Sequence, residues 1–424
     1  MIHQVRASSD DVARLRELVE LQLQLLTLAA TQSSVDRASL ERYLTSVRGG
    51  NASKIAVWVY RHSTLVSELN TFAAHPNLGE KGALVDQMRG DVDLLFTPAP
   101  HRLQVAFKCP PPPRTDWRCA AGDFCRHFYT IWGQDGPNPG FPDYMFVRAP
   151  IAGASYSRWD FINGFLVAND ALYLCAICDA TAFRTQVDSR AYTSIEHFFP
   201  KSIYPHLAIH PYNLIPICTH CNSIKSDDDF MQLCGATLGI QELLLPYQSQ
   251  QPGLSQMAYV EVSVRTARVA GSHPLEIKFK SASTFANSVS LIDHFKTLYG
   301  VEKRWNNQLD QIGEQVFRRM QQFLMGDVQM GNDLSNVEFV QEHLELLMAL
   351  TSKENLGKDP FGMATVWMLK YHVDTLRQYG KKALIYENLV QWAEEHRETW
   401  KALRDHAKEI HRRVPVDPPK VLTT

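Results

Sequence analysis

The sequence predicts a multidomain α+β protein, with a mixed N-terminal domain, a small ββα unit held together by cysteines, and a mostly α-helical C-terminal region. Two Cys-x-x-Cys motifs lie between residues 175 and 221, with short strand-like segments between them. From residue 283 onward, apolar residues recur at helical spacing. The 424 residues allow more than one domain, since a domain commonly holds about 100–200 residues.

Composition and charge exclude several classes of protein. Hydrophobic residues make up 45% of the chain and charged residues 21%, which is typical of a globular protein. The net charge of −2 provides no overall basic field for nucleic acid. The N-terminus lacks the apolar run of a signal peptide, and no apolar segment is long enough to span a membrane. Cysteines in metal-binding spacing favour a reducing compartment, so we expect a cytoplasmic protein.

The N-terminal region predicts both helices and strands. Apolar residues over 9–48 recur at helical spacing and predict two helices. Segments 55–60, 94–96 and 103–107 are rich in β-branched, aromatic and other apolar residues and predict short strands. Four prolines at 110–113 exclude a helix there and predict a domain boundary.

Further cysteines follow this boundary without a regular spacing. Cys109, Cys119, Cys125 and His127 are compatible with a second metal site, or with cysteines buried as small apolar side chains. The turn-rich segment 133–140 predicts a surface loop.

The C-terminal region predicts a β-hairpin followed by helices. Val260, Val262 and Val264 alternate with polar residues, as do Ile277 and Phe279. The predicted helices are Phe285–Met325, Val337–Leu350, Phe361–Tyr379 and Ala383–Ile410.

The two cysteine motifs predict a structural zinc site. Their thiolates are Cys175, Cys178, Cys218 and Cys221, separated by a spacer of 39 residues (179–217). Four thiolates close the tetrahedral coordination of zinc and leave no position for a substrate. The metal would therefore hold the fold together.

The spacer and the segment after it supply groups suited to phosphodiester hydrolysis. Glu196 and His197 lie on a predicted strand over 193–199, and Asn222 begins a predicted helix after a second strand over 214–217. In a ββα unit these side chains converge. Carboxylate and amide oxygens suit a hard divalent ion, and a neutral imidazole can take a proton from water.

This set of motifs resembles the HNH (ββα-metal) endonuclease family, in the type that carries a four-cysteine zinc site. The resemblance implies that His197 is the general base and that Glu196 and Asn222 bind a catalytic Mg²⁺ or Mn²⁺. It implies that Asn213 holds the loop and the imidazole. Lys225 lies where the family often has a basic residue. Two positions depart from the commoner pattern, because Asn222 replaces a histidine and Glu196 replaces an aspartate.

The family resemblance further implies hydrolysis of DNA, with RNA not excluded, by a regulated effector of prokaryotic defence. An activating or sensing partner protein and a homo-oligomer both stay open, and no membrane partner is expected. The alternatives are a sequence-specific restriction or mobile-element nuclease, and a non-catalytic zinc module that binds nucleic acid or protein.

Acidic residues outnumber basic ones over 175–230, so the contacts to phosphate are expected from elsewhere. The candidates are Arg265, Arg268, Lys278 and Lys280 in the hairpin and Lys303, Arg304, Arg318 and Arg319 in the helical region. Asp227, Asp228 and Asp229 predict a solvated acidic run early in a helix.

The predicted organisation is 1–110, a mixed α/β domain; 111–170, a turn-rich connection; 171–250, the HNH module; 251–282, the hairpin; and 283–424, the helical domain.

Overall fold

The computed structural model divides the chain into two compact units, Met1–Tyr259 with Phe279–Glu302, and Val260–Lys278 with Lys303–Thr424. The described residues are 3, 5–97, 105–110, 116–133, 140–151, 155–170, 172–182, 193–229, 232, 247, 258–265, 274–281, 288–330, 332, 334–354 and 360–413. Helices predominate, and the strands form small two-stranded sheets, which agrees with the predicted α+β class.

The first unit begins with a group of helices. They are α1 (Ser9–Ala30), α2 (Arg37–Arg48), α3 (Ala52–Arg61), α4 (Ser63–Ala73) and α5 (Leu78–Phe96). The Ser8 side chain caps α1, and Asp36 with Ser39 forms a capping box at α2. The two helices predicted over 9–48 are confirmed.

The strands predicted at 55–60 and 94–96 are wrong, because both segments are helical. In α3 the buried side chains of Ala52, Ile55, Ala56 and Val59 fall on one helical face. Burial of this face overrides the strand preference of its β-branched and aromatic residues. Residues 94–96 are the last turn of α5, whose N-terminus is capped by Asn77. Residues 105–107, the described part of the third predicted strand, have no regular secondary structure.

The region predicted as a turn-rich connection contains two helices, α6 (Trp117–Trp132) and α7 (Arg158–Ala168). Ala120, Phe124, Phe128 and Trp132 recur every fourth residue and are buried along α6. The antiparallel strands β1 (Phe141–Pro142) and β2 (Ser155–Tyr156) lie between the helices in the chain. Residues 134–139 of the predicted surface loop lie outside the described residues.

The predicted ββα unit is present in the centre of the chain. Strands β3 (Thr193–His197) and β4 (Leu214–Cys218) pair antiparallel, with His197 opposite Leu214 and Thr193 opposite Cys218. Helix α8 (Thr219–Lys225) follows β4 directly. The first unit also contains α9 (Ser288–Tyr299).

A buried carboxylate connects the ββα unit to α5. Asp91 accepts hydrogen bonds from the backbone N–H groups of Ala106 (2.6 Å) and Phe107 (2.9 Å). Its Oδ2 also lies 3.0 Å from Nε2 of His206, which belongs to the loop between β3 and β4. The N-terminal helices therefore support the loop of the ββα unit.

The second unit contains most of a two-stranded sheet and a series of helices. The strands are β5 (Ala258–Val264) and β6 (Leu275–Ser281), as the alternating pattern predicts. The helices that follow are α10 (Val301–Asn307), α11 (Leu309–Met330), α12 (Val337–Glu354), α13 (Gly362–Tyr379) and α14 (Leu384–Arg413).

Three of the four predicted C-terminal helices are confirmed, and the first is divided. The segment predicted as one helix over 285–325 contains breaks at Gly300 and Gln308. Gly300 has a positive φ of 57°, which ends α9 and which glycine adopts without steric cost.

Candidate active site and metal centre

The four cysteines of the two motifs form one buried cluster. The Sγ atoms of Cys175, Cys178, Cys218 and Cys221 all lie within 4.8 Å of one another. Tetrahedral zinc with Zn–S bonds of about 2.3 Å places its sulfur atoms about 3.8 Å apart. The Sγ atoms of Cys178 and Cys218 are 3.7 Å apart. The cluster can therefore hold a metal ion such as zinc.

Backbone groups support the cysteine cluster. The N–H of Cys218 points to Sγ of Cys175, and the N–H of Cys221 points to Sγ of Cys218, each at 3.5 Å. Such donors stabilise the negative charge of thiolates bound to a metal. Asp179, with a φ of 61°, turns the chain after Cys178, and its carboxylate lies 2.6 Å from Nε2 of His3. Among the described residues no second group of three or more His, Cys, Asp or Glu side chains lies close enough to hold a metal ion, and Cys109, Cys119 and Cys125 are buried.

The side chains expected to do chemistry line one cavity beside this cluster. Glu196 and His197 come from the end of β3, and Asn222 comes from the first turns of α8. The pairing of β3 with β4 brings these segments together. All three residues line a cavity of about 590 Å³. The structure therefore brings together the predicted carboxylate, imidazole and amide.

His197 is held in a single orientation. Its Nε2 lies 3.0 Å from the carbonyl oxygen of Ala208. Because a carbonyl only accepts, this bond requires the proton on Nε2 and leaves the lone pair of Nδ1 available. Burial, followed by the charge of Lys201, holds the pKa of His197 well below its usual range. The imidazole is therefore neutral at pH 7, the form that a general base requires.

Glu196 is paired with a buried lysine. Its Oε1 lies 2.5 Å from Nζ of Lys225, which also donates to the backbone oxygen of His197 at 2.8 Å. Both side chains are buried. Burial raises the pKa of Glu196 to about 7, while the charge of Lys225 opposes that rise. Lys225 thus connects α8 to the end of β3 and supplies a counter-charge to the carboxylate.

Asn213 fixes the loop between the two strands. Its Oδ1 accepts from the N–H of Phe199 (2.6 Å), and its Nδ2 donates to the carbonyl oxygens of Phe199 (3.1 Å) and Leu207 (2.9 Å). The side chain is fully buried. The hydrogen bond to the imidazole, which the resemblance assigned to Asn213, is made here by the carbonyl of Ala208.

The acidic run after α8 differs in part from the predicted solvated run, because Asp227 and Asp228 are exposed as predicted but Asp229 is not. Helix α8 ends at Lys225, so Asp227, Asp228 and Asp229 follow the helix and do not lie in its first turn. Asp227 lines the cavity. Asp229 is buried and accepts a hydrogen bond from the hydroxyl of Tyr204 at 2.7 Å.

Among the other side chains that line the cavity, three lie near His197 or carry a positive charge, and sequence analysis did not assign them to the site. They are Tyr129 from α6, Arg158 from α7 and Lys201 from the loop after β3. The Tyr129 ring lies 4.3 Å from the His197 ring, edge to face. Tyr129 and Arg158 lie far from the motif in sequence, so no local pattern indicated them.

Several of the predicted phosphate contacts are engaged locally. The guanidinium of Arg265 donates to the carbonyl oxygen of Leu275, Lys278 pairs with Glu276 at 2.6 Å, and Arg318 pairs with Glu314 at 2.5 Å. Arg268 lies outside the described residues.

The chain has a short region of similarity to one curated protein. It is 38% identical over 55 residues to Septu protein PtuB of Bacillus thuringiensis, and the match covers 13% of this chain and 20% of that protein. No family model and no solved structure matches the chain. None of the helices in the described part of the chain is long and apolar enough to cross a membrane.

Proposed function

We propose that the protein is a metal-dependent endonuclease that hydrolyses phosphodiester bonds of DNA. The observation that carries this proposal is the convergence of Glu196, His197 and Asn222 on one cavity next to the cysteine cluster. Four thiolates close the coordination of a metal ion and suit a structural site. An open set of oxygen and nitrogen donors leaves positions for water and substrate and suits a catalytic ion. We assign a structural zinc ion to the cysteines and the reaction to the cavity.

Each residue of the cavity has a defined role in this proposal. His197 takes the proton of the attacking water at Nδ1, because Nε2 is engaged by Ala208. Glu196 and Asn222 provide the oxygen ligands for Mg²⁺ or Mn²⁺. When bound, such an ion neutralises charge on the scissile phosphate and on the leaving oxygen. Asn213 keeps the loop that carries Ala208 in place through its bonds to Phe199 and Leu207.

Lys225 has a part in this arrangement before an ion binds. It holds the Glu196 carboxylate at the edge of the cavity and compensates its charge. A divalent ion favours the ionised carboxylate in the same way as Lys225 does. Hard oxygen ligands suit Mg²⁺, which commonly binds through one or two protein groups together with water and phosphate.

We assign the protein to prokaryotic defence, as an effector controlled by a partner protein or by assembly of its own copies. The local similarity to Septu protein PtuB supports this assignment, together with the resemblance of the motifs to HNH nucleases. The alternatives keep the same module. One is a restriction or mobile-element nuclease with its own sequence preference, and the other is a zinc module that binds nucleic acid or protein without cleaving.

The test is cleavage of supercoiled plasmid by the purified chain in Mg²⁺, Mn²⁺ or EDTA, with His197→Ala as control. We expect nicking that requires a divalent ion and is lost in the variant. An equal rate of cleavage in His197→Ala would contradict the assignment of the base. The absence of cleavage on DNA and RNA alike, even with cell extract added as a source of activators, would favour the non-catalytic module.

A further inference from the structure

Two cationic side chains line the cavity without a carboxylate partner. Arg158 and Lys201 border the same space as Glu196, His197 and Asn222. Within the described part of the chain, neither forms an ion pair with Asp or Glu. Burial lowers the pKa of each cation, and for Lys201 the charge of Asp227 opposes this shift while that of Arg158 adds to it. Holding two like charges together away from water is costly, so an anion between them would relieve this cost.

The ring of Tyr129 positions both cations beside the base. The guanidinium carbon of Arg158 lies 3.9 Å from the ring centroid, and Nζ of Lys201 lies 5.1 Å from it. Both distances are within the range of cation–π interactions. The same ring contacts His197 edge to face. A single aromatic side chain thus places two positive charges and the imidazole around the cavity.

Arg158 retains free hydrogen-bonding capacity in this position. Its Nη2 donates to the carbonyl oxygen of Tyr129 at 2.5 Å, which fixes the orientation of the guanidinium. Its Nε is buried and has no partner among the described residues. A planar guanidinium presents its donors as a fork that matches two oxygens of a phosphate.

A glycine in another element makes room for this guanidinium. Gly133 ends α6, and a Cβ added at Gly133 would overlap the guanidinium carbon and both of its terminal nitrogens. Gly133 has a φ of −100°, which other residues also adopt, so its backbone conformation does not require glycine. Glycine is therefore needed at this position because the Arg158 guanidinium occupies the space that a Cβ would take.

We propose that Arg158 and Lys201 form a phosphate-binding site that holds the substrate strand against the catalytic groups. The inference rests on the proposed nuclease function for the identity of the ligand, a nucleic-acid phosphate. It adds Arg158 of α7, which lies outside residues 175–230, to Lys201 of the loop after β3. The site lies within the first unit and does not require the basic residues of the hairpin.

The experiment measures binding in EDTA, where the proposed reaction cannot proceed. Fluorescence anisotropy of the full chain is recorded with a short labelled DNA duplex, the same DNA single strand and an RNA strand, over a series of salt concentrations. Arg158→Ala and Lys201→Ala are each expected to weaken binding about tenfold or more. Each variant is also expected to reduce the slope of log affinity against log salt by about 1, the loss of one phosphate contact.

Two further variants separate this effect from loss of fold and from general charge. Gly133→Ala keeps every charge but displaces the guanidinium, so we expect it to weaken binding as Arg158→Ala does. Arg37→Ala removes an exposed arginine at the start of α2, which does not line the cavity, and is expected to leave the affinity and the salt slope unchanged. Thermal unfolding is recorded for each variant, and Arg158→Lys should recover part of the affinity in a chain of normal stability.

The outcomes distinguish this site from the proposed function. Wild-type affinity and salt slope in folded Arg158→Ala, Lys201→Ala and Gly133→Ala would overturn the phosphate site and leave the nuclease proposal intact. A wild-type chain that binds none of the three probes in EDTA, and that cleaves none of them in Mg²⁺ with cell extract added, would contradict the nuclease proposal and the phosphate site with it.

Discussion

The cysteine cluster and the neighbouring cavity differ in whether space remains beside their side chains for further ligands. In the cluster, four buried cysteine sulfur atoms lie within 4.8 Å of one another, and two backbone N–H groups point to them. In the cavity, Glu196, His197 and Asn222 border about 590 Å³ of open space. The four cysteines thus supply a full tetrahedral set of ligands for one metal ion, whereas the cavity leaves room for water and phosphate. This difference is the basis of our proposal that a metal in the cysteine cluster stabilises the fold and that the cavity is the place of the reaction.

The largest expected effect comes from removing one thiolate. Cys221→Ser should abolish tight zinc binding, because apparent binding energies of structural zinc are about 10–16 kcal/mol and are largely folding energy. We expect loss of bound zinc and loss of the cooperative thermal transition of the first unit. Metal analysis and circular dichroism test this, with Cys125→Ser, a buried cysteine outside the cluster, as the matched control. Normal zinc content in Cys221→Ser would contradict the assignment of the cluster.

Removing the base should affect rate and leave the fold unchanged. His197→Ala is expected to lower the cleavage rate by about 10²–10⁴-fold, the usual contribution of a general base. Zinc content should be that of the wild-type chain. The measurement is the initial rate of plasmid nicking in Mg²⁺ beside the zinc content of the same sample. Loss of zinc in His197→Ala would show that the cavity and the cysteine cluster are not independent of each other.

The buried ion pair of Lys225 with Glu196 should contribute to the stability of the fold. Lys225→Met leaves the Glu196 carboxylate buried without its partner, which typically costs about 3–5 kcal/mol. We expect a lower urea midpoint at constant zinc content. The double variant with Glu196→Gln should recover much of the loss, since it removes the uncompensated charge. Equal midpoints for Lys225→Met and the wild-type chain would show that the pair contributes nothing.

The buried carboxylate of Asp11, whose pKa is also raised by burial, provides a comparison with Glu196 and a smaller expected effect. Asp11 accepts from the hydroxyl of Tyr156 at 2.7 Å, and burial raises its pKa to about 6 from the ordinary value of 3.8. The folded state therefore binds more protons than the unfolded state between about pH 4 and pH 6. The stability from this group is complete below pH 4 and is lost as the pH rises to 6, by up to about 3 kcal/mol.

Asp11→Asn should remove this dependence on pH. We expect a flatter curve of urea midpoint against pH between 4 and 7, with the largest gain relative to the wild-type chain at pH 7. Asp10→Asn, an exposed neighbour, is the matched control. An unchanged slope in Asp11→Asn would mean that Asp11 ionises normally in the folded chain.

The sequence alone located the candidate site but only part of its surroundings. Cys175 to Cys221, Glu196 and Asn222 lie in short motifs, where spacing along the chain determines which atoms can meet. Tyr129 and Arg158 come from helices that no local pattern connects to the motif. Their positions depend on tertiary packing, such as the space that Gly133 leaves for the guanidinium.

The errors in the N-terminal region have a related cause. The β-branched residues of 55–60 favour a strand locally, but one face of α3 is buried against the other helices. The acidic run early in a predicted helix predicts a solvated Asp229, whereas its hydroxyl partner, Tyr204, lies 25 residues away in the sequence. Charge patterns along the chain do not report such distant partners.

The most direct test separates the structural role of zinc in the cysteine cluster from the catalytic role of Mg²⁺ in the cavity. One sample of the wild-type chain is treated briefly with EDTA, and the EDTA is then removed. Zinc content and plasmid cleavage are measured on that sample before and after Mg²⁺ is added. We predict one zinc per chain throughout, no cleavage without Mg²⁺, and cleavage once Mg²⁺ is restored. Cleavage without Mg²⁺ in the zinc-loaded chain, or recovery of cleavage only when zinc is added, would contradict the division of roles between the cysteine cluster and the cavity.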